Sequence, residues 1–469
     1  MSEIVAWTAT ETVARLKSKE VSAVEVTQAH LDRAATVNPD LNALTQLCED
    51  ALDQARAIDA GQRPAGILHG APVTTKVNTD QTGLVSTNGL PGLAQNVAPS
   101  DAPVVANLRD AGGVIVGRTN TPEFSMRWFT SNPLHGVTLN PWDTTATPGG
   151  SSGGASSALA AGVGVIAHGN DLGGSVRYPA FCCGIAGLRP SLGRIPAFNP
   201  TAPTERAPMT AAMSVQGPLG RSVADVQLGL DAMRGFRPDD PNWTAAQASG
   251  RPRRDGKIRM AFAHDAFATA THPALQDAVS RAEAAAQEAG IEVVHKTLPD
   301  LEGIARLWGQ LLGTETRLTM ETSVDELGSD DVKIWLNTMS NRYGTLDLAG
   351  YVQGIAQRTT YQRAWMRLFM DVDFVVLPTS LAPPFDNDQD FTSPSQATDI
   401  LDAQKPLYIV NLLGLPALAL PTHVADGRPV GVQIVGPMHD DDAVLGVGRL
   451  LERGLGSVLD QMPAPYRLL

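Results

Sequence analysis

A chain of 469 residues with 43% hydrophobic and 18% charged side chains can bury a large core and is too apolar to be disordered. Its formal charge of −13, with no run of like charge against that mean, opposes attraction to nucleic acid or to anionic lipid. Three cysteines, two of them adjacent at Cys182 and Cys183, exclude a disulfide framework and read as reduced, buried thiols.

The N-terminal MSEIVAWTATETVARL has an early acid and no apolar stretch of signal-peptide length. Nowhere does the chain reach the ~18 consecutive apolar residues of a membrane span. A soluble, cytoplasmic protein without a membrane or nucleic-acid partner is therefore expected. ETVARLKSKE and SAVEVTQAHLDRAATV carry apolar residues at helical spacing, and Ser22 stands where it would cap the second helix. The run LTQLCEDALDQARAIDAG continues the pattern and predicts a third helix stopping at Gly61, so residues 1–65 read as an N-terminal helical segment.

ILHGAPVTTKV changes to short β-rich pieces, and APVVANLRDAGGVIVGRTN reads as helix, glycine stop and buried strand. Residues 155–190 are dense in Gly, Ala and Ser, which lets elements approach closely. KIRMAFAHD and GIEVVHKTLPD bracket the helix HPALQDAVSRAEAAAQEAG, another β-α-β alternation. Residues 301–371 are mostly amphipathic helix, and VDFVVLPTS and GVQIVGP are buried strands. With no repeat period and no low-complexity linker, residues 1–469 are expected to form one α/β domain with a helical excursion.

Three stretches carry chemistry. The first, Thr147-Pro148-Gly149-Gly150-Ser151-Ser152-Gly153-Gly154, is followed by the small-residue helix pattern ASSALAAGVGVIA, which argues against a linker. It lacks the GxxxxGK[ST] of a phosphate loop. Residues 149–153 match the GxSxG nucleophile elbow, but that turn needs a strand before it, and NPWDTTATP has two prolines and no apolar run. In the second, Asp171-Leu172-Gly173-Gly174-Ser175-Val176-Arg177, the two glycines before a serine expose consecutive backbone N–H groups of the kind that hold an oxyanion. A glycine turn with Asp171 and Arg177 paired across it is the plainer alternative. The third is Lys76, one of seven lysines, set in an apolar strand-like context. Burial there would lower its pKa and yield an amine able to take a serine proton; a strand-end lysine reaching solvent is the alternative. The nine histidines are scattered without HExxH or CxxC, so no metal and no cofactor are expected; His135, His168 and His264 each remain open as a serine's base.

With these stretches in view, the chain resembles the amidase signature family. The resemblance is carried by TLNPWDTTATPGGSSGGASSALAAG and NDLGGSVRYPAFCCGIAGLRPSLGR, the family's central signature. It extends to GAPVTTKVNTD, VGRTNTPEF, SVQGPLGRSVADVQLGLDAM and NLLGLPALALPT…GRPVGVQIVG. It implies the family's α/β fold, a large mixed β-sheet covered by helices on both faces, with a signature core over about 70–225. It also implies a Ser-Ser-Lys triad: Ser175 as nucleophile, Ser151 as bridging serine after a cis peptide bond, and Lys76 as base. The N–H groups of Leu172, Gly173, Gly174 and Ser175 match the oxyanion hole, and Ser152, Asp171 and Arg177 match supporting positions. The acid that often follows the lysine is replaced by Val77 and then Asn78, and the loop's usual threonine by Leu172.

The implied activity is hydrolysis of carbon–nitrogen bonds through an acyl-enzyme. Met126, Trp128 and Phe129 are expected to wall the acyl site, with residues 300–371 over its mouth. This favours aryl or alkyl amides and anilides, with carbamates (urethanes) as a further class. A glutaminase component of an amidotransferase and a non-catalytic protein on the same fold are the alternatives, and a homodimer is compatible with the resemblance.

Overall fold

The computed structural model describes residues 3–246 and 256–468. Thirteen strands occur among them: β1 (Leu44–Leu47), β2 (Pro72–Lys76), β3 (Val114–Thr119), β4 (Ser131–Asn132), β5 (Gly136–Val137), β6 (Ile166–Asp171), β7 (Ala186–Arg189), β8 (Val215–Gly220), β9 (Arg259–Phe262), β10 (Glu292–Val294), β11 (Phe374–Pro378), β12 (Ala417–Ala425) and β13 (Arg428–Val435). β4 and β5 form a small hairpin; the other eleven form one sheet in the order β1-β3-β2-β6-β8-β7-β12-β13-β11-β9-β10. β2, β3 and β6 run parallel to one another, as do β9, β10 and β11, and the remaining pairs are antiparallel. The fold is the expected α/β arrangement built on a large mixed sheet.

Side chains alternate across this sheet with the two-residue period of a strand. Ala167, Leu219 and Ala419 pack on one face with Ala155, Leu159 and Ala180 from the helices Gly153–Ala160 and Arg177–Cys182. Ile166, Leu188 and Leu418 belong to the larger core with Val223, Val226 and Leu445 of the helices Val223–Met233 and Asp441–Leu455. The Gly/Ala/Ser-rich stretch thus supplies the face where two short helices lie closest to the strands.

The predicted helices begin where their caps stand. Ser22 accepts from Glu25 N at 3.1 Å while Glu25 accepts from Ser22 N at 2.9 Å, a complete capping box on the helix Ala23–Leu41. The expected helix over 44–61 is corrected in its first half. Leu44–Leu47 is a strand, pairing antiparallel with β3, and only Ala51–Asp59 is helical. Four residues have little intrinsic claim on either state, and the open edge of β3 offers them a ladder. From 301 onward the helices Leu301–Leu327, Asp330–Tyr343 and Leu348–Leu368 form the predicted excursion. None of the described helices is long and apolar enough to cross a membrane. Cys48, Cys182 and Cys183 are buried free thiols.

His30 and His168 are fully buried. His30 Nδ1 lies 2.9 Å from Gly162 O and 3.1 Å from Gly164 N, while His168 Nε2 is 2.7 Å from Gln216 Oε1. Burial pushes their pKa values down to about 3 and about 4. Both are neutral in the folded protein, whereas in the unfolded chain they titrate near 6.5. Their contribution to stability is therefore complete above pH ~6.5 and declines as the pH falls toward the folded values, by about 1.4 kcal/mol per pH unit for each. The histidine contribution to thermal stability should be level from pH 7 to 8, and the melting temperature should drop more steeply below pH 6.5 as these two groups begin to titrate. His30→Gln, which removes one titrating group, should reduce that slope between pH 6 and 4.5; an unchanged slope would exclude His30 as its source.

Candidate active site

Parallel β2 and β6 end side by side, which places Lys76 at the carboxyl end of one strand and Asn170 and Asp171 at that of the other. Between β3 and β6 the chain passes through the glycine-serine stretch and enters the helix Gly153–Ala160. No strand runs directly into Ser151, so the nucleophile-elbow geometry is absent there. The Gly150–Ser151 peptide bond is cis. A side chain at Gly150 would meet Arg127 O at 2.5 Å and Phe129 N at 2.6 Å, so the segment 127–129 packs directly on this turn.

Lys76 is wholly buried, and its Nζ lies 2.7 Å from Ser151 Oγ and 2.8 Å from Asn170 Oδ1. Burial lowers its pKa well below that of an ordinary lysine, and the attraction of Asp171 offsets only part of this. Burial thus favours the neutral amine, which is bonded to a serine hydroxyl. The solvent-reaching alternative for Lys76 is overturned. Ser175, 9% exposed, ends the glycine turn of the neighbouring loop, and its carbonyl accepts from Ser152 N at 3.2 Å, which ties the two loops together. Ser152 joins the two loops through this backbone bond, and its buried Oγ has no hydrogen-bond partner among the described residues.

Asp171 shapes the second loop. Its carboxylate accepts from Arg177 Nε and Nη2, both at 3.0 Å, from Asn411 Nδ2 at 2.9 Å, from Gly174 N at 2.8 Å and from Val176 N at 3.2 Å. Burial alone would raise its pKa, but the Arg177 guanidinium holds it well below the usual carboxylate range. Arg177 extends the network to Gln433 Oε1 at 2.7 Å and Asn411 Oδ1 at 2.6 Å. The plainer reading of this loop holds: Asp171 and Arg177 pair across it. Gly174 has φ +103°, and a side chain there would meet Leu407 Cδ1 at 2.3 Å. One expectation is corrected. The Gly174 N–H is committed to Asp171, so it is not a free donor, whereas the N–H groups of Leu172, Gly173 and Ser175 have no other acceptor among the described residues.

The loop's carbonyls are pinned by two indoles. Trp128 Nε1 donates to Gly173 O at 2.9 Å, and Trp308 Nε1, from the helix Leu301–Leu327, donates to Leu172 O at 3.1 Å. Trp308 stacks on Tyr408 with 4.0 Å between ring centroids, and Trp335 meets Trp128 edge-on at 5.2 Å. Phe129 is fully buried against Phe385, while Met126 is half-buried beside Val324, Val332 and Leu336. Of the wall residues expected from the sequence, Trp128 thus acts on the loop and Phe129 on the turn at Gly150. Sequence reasoning missed Trp308, Trp335, Tyr408, Asn411 and Gln433, which lie far along the chain and share no motif with the loop. It also missed Asn170, whose only signal was its place next to Asp171. Of the three histidines, only His168 reaches the site, where it meets the backbone N of Lys76 at 3.4 Å. His135 bonds Thr87 and His264 bonds Glu283.

The sequence profile of the Amidase family matches residues 25–445, and the chain belongs to that family of amide hydrolases. It is 41% identical over 455 residues to the indoleacetamide hydrolase of Bradyrhizobium diazoefficiens, covering 96% of this chain and 87% of that protein. It is 34% identical to a glutamyl-tRNA(Gln) amidotransferase polypeptide of Rhodopirellula baltica, with 95% of each chain covered. Among solved structures, 6-aminohexanoate cyclic dimer hydrolase complexed with substrate superposes with a TM-score of 0.84 at 27% identity, over 98% of this chain and 99% of that one.

Because Asp171 and Arg177 are both fully buried, removing one leaves the other uncompensated in a dry interior. Asp171→Ala should destabilise the protein by about 3–5 kcal/mol in chemical denaturation. The double variant Asp171→Ala/Arg177→Met should recover part of that loss; strict additivity of the two changes would show that the pair is not coupled.

Proposed function

We propose that this enzyme hydrolyses small apolar amides, arylacetamides first among them, through an acyl-enzyme on Ser175. The observation that carries the proposal is the buried Lys76 amine, 2.7 Å from Ser151 Oγ. In this reading neutral Lys76 takes a proton from Ser151, Ser151 takes one from Ser175, and Ser175 Oγ attacks the amide carbon. The N–H groups of Leu172, Gly173 and Ser175 receive the oxyanion of the tetrahedral intermediate, in a loop already fixed before charge develops. Ser151 then hands a proton to the departing nitrogen, which leaves as ammonia or an amine and not as an amide anion. Water attacks the acyl-enzyme along the reverse path and yields the carboxylic acid.

The apolar preference is supported by the aromatic shell of Trp128, Trp308, Trp335 and Tyr408 behind the loop, by Met126 beside it, and by the similarity to an indoleacetamide hydrolase. The helices of residues 301–368 lie over this shell and fit a cover for the acyl group. Carbamates present the same carbonyl–nitrogen bond to the same serine, so O-alkyl N-aryl carbamates fall within the proposal as slower substrates.

The test is a hydrolysis panel of indole-3-acetamide, an anilide, a matched O-alkyl N-aryl carbamate and glutamine, run with the chain alone. The arylacetamide should be turned over fastest and glutamine least. Ser175→Ala should lose about 10⁴-fold or more in kcat and all labelling by a fluorophosphonate. Ser151→Ala and Lys76→Ala should each lose about 10²–10⁴-fold. Activity confined to glutamine would favour the amidotransferase reading, and labelling that survived Ser175→Ala would move the nucleophile elsewhere.

A further inference from the structure

Lys76 Nζ has two side-chain partners, and only one of them, Ser151, belongs to the proposed proton relay. The other is the amide of Asn170, and that amide is itself held. Asn170 Nδ2 donates to Asn78 Oδ1 at 3.0 Å, which leaves Asn170 Oδ1 facing the lysine at 2.8 Å. Asn78 is fixed in turn: its Nδ2 donates to Ser125 Oγ at 2.9 Å, and its Oδ1 also accepts from Thr79 Oγ1 at 3.1 Å. Ser125 Oγ donates in its turn to Asn88 Oδ1 at 2.7 Å. Turning the carbonyl of Asn170 away from Lys76 would break both its bond to the amine and the bond its Nδ2 makes to Asn78 Oδ1.

We propose that Asn170, held by Asn78, is the positioning residue that aims the Lys76 amine at Ser151 and keeps it a base. A neutral amine has two N–H bonds and one lone pair. A carbonyl oxygen can only accept, so one N–H must point at Asn170, and the lone pair is then free to face the Ser151 hydroxyl. The second effect is electrostatic. Proton transfer makes Lys76 an ammonium in mid-reaction, and the cation must then return that proton to Ser151. An uncharged amide stabilises the ammonium far less than a carboxylate at the same 2.8 Å would, so the proton stays mobile. The residue after the lysine is Val77, so neither that position nor 170 places a negative charge beside the amine.

The charged and titratable groups around Lys76 leave that role open to Asn170. On β6, Asp171 has its carboxylate engaged by Arg177, and His168 is neutral against the Lys76 backbone. On β3, Arg118 Nη2 donates to Lys76 O and Thr79 O. The helix Gly153–Ala160 carries no titratable side chain, and the helix Ala23–Leu41 turns His30 and Arg33 to the backbone of residues 161, 162 and 164. Glu123 and Arg127 of the facing loop are bonded to Ser329 and to Asp388 and Asp390.

The inference rests on the proposal that Lys76 is the base, and the experiment separates the two. The pH dependence of kcat and kcat/KM on indole-3-acetamide is measured for wild type, Asn170→Asp, Asn170→Ala, Asn78→Asp and Lys76→Met, with thermal unfolding as a check on folding. Asn170→Asp should move the acidic limb of the profile alkaline by about one pH unit or more, so that the rate at neutral pH falls about tenfold and recovers at higher pH. Asn78→Asp, one bond further from the amine, should move the limb the same way by less, and it serves as the charge test if Asn170→Asp does not fold. Asn170→Ala should lower the plateau kcat about tenfold with KM within about twofold and no alkaline shift. An acidic limb unmoved in both aspartate variants, or a full plateau kcat in Asn170→Ala, would overturn the role of Asn170. Wild-type activity in Lys76→Met would instead overturn the reading of Lys76 on which it rests.

Discussion

The buried pair of Asp171 and Arg177 is the interaction on which the site depends. Asp171 ends β6 and Arg177 begins the helix Arg177–Cys182, so their pairing folds the five residues between them into a tight loop. Each buried charge is costly to desolvate, and that cost is offset only because every oxygen and nitrogen finds a partner. Those partners come from the loop itself, from Asn411 on the helix Lys405–Leu413 and from Gln433 on β13. The loop is therefore stitched to elements more than two hundred residues away in the chain. Its amides face a fixed direction because the carboxylate behind them has no freedom to move.

Against this rigid loop the structure sets a lysine whose chemistry is made by its surroundings. In water Lys76 would be an ammonium and no base. At the end of β2, beneath the turn at Ser151, it has lost its hydration and gained two neutral partners, Ser151 and Asn170. The nearest full negative charge is Asp171, and Arg177 largely neutralises it. The same buried pair that fixes the loop also tempers the negative charge beside the lysine. The indoles of Trp128 and Trp308 add to this by donating to the loop's carbonyls.

Much of the site was legible in the sequence because its residues cluster in short motifs. The two glycines before Ser175, the acid and base on either side of them, and an isolated lysine in an apolar stretch are local patterns with a direct chemical meaning. The commitment of the Gly174 amide to Asp171 was not legible, since a glycine pair suggests free donors and only the curvature of the loop decides which amide turns inward. The LTQL segment shows the same limit for the fold. Its four residues continue a helical pattern in one dimension, but β3 needs an edge partner, and that need exists only in three dimensions.

By itself the sequence determined the α/β alternation, the caps, the family and the candidate residues Lys76, Ser151 and Ser175, because each is written in spacing or in a contiguous motif. The tertiary structure alone decided what those side chains can do. It buried Lys76, chose Asn170 over a carboxylate as its companion, and brought Asn411, Gln433 and Trp308 to a loop that none of them adjoins in the chain. Protonation state and orientation follow from burial and from partners, and both belong to the folded protein rather than to any stretch of its sequence.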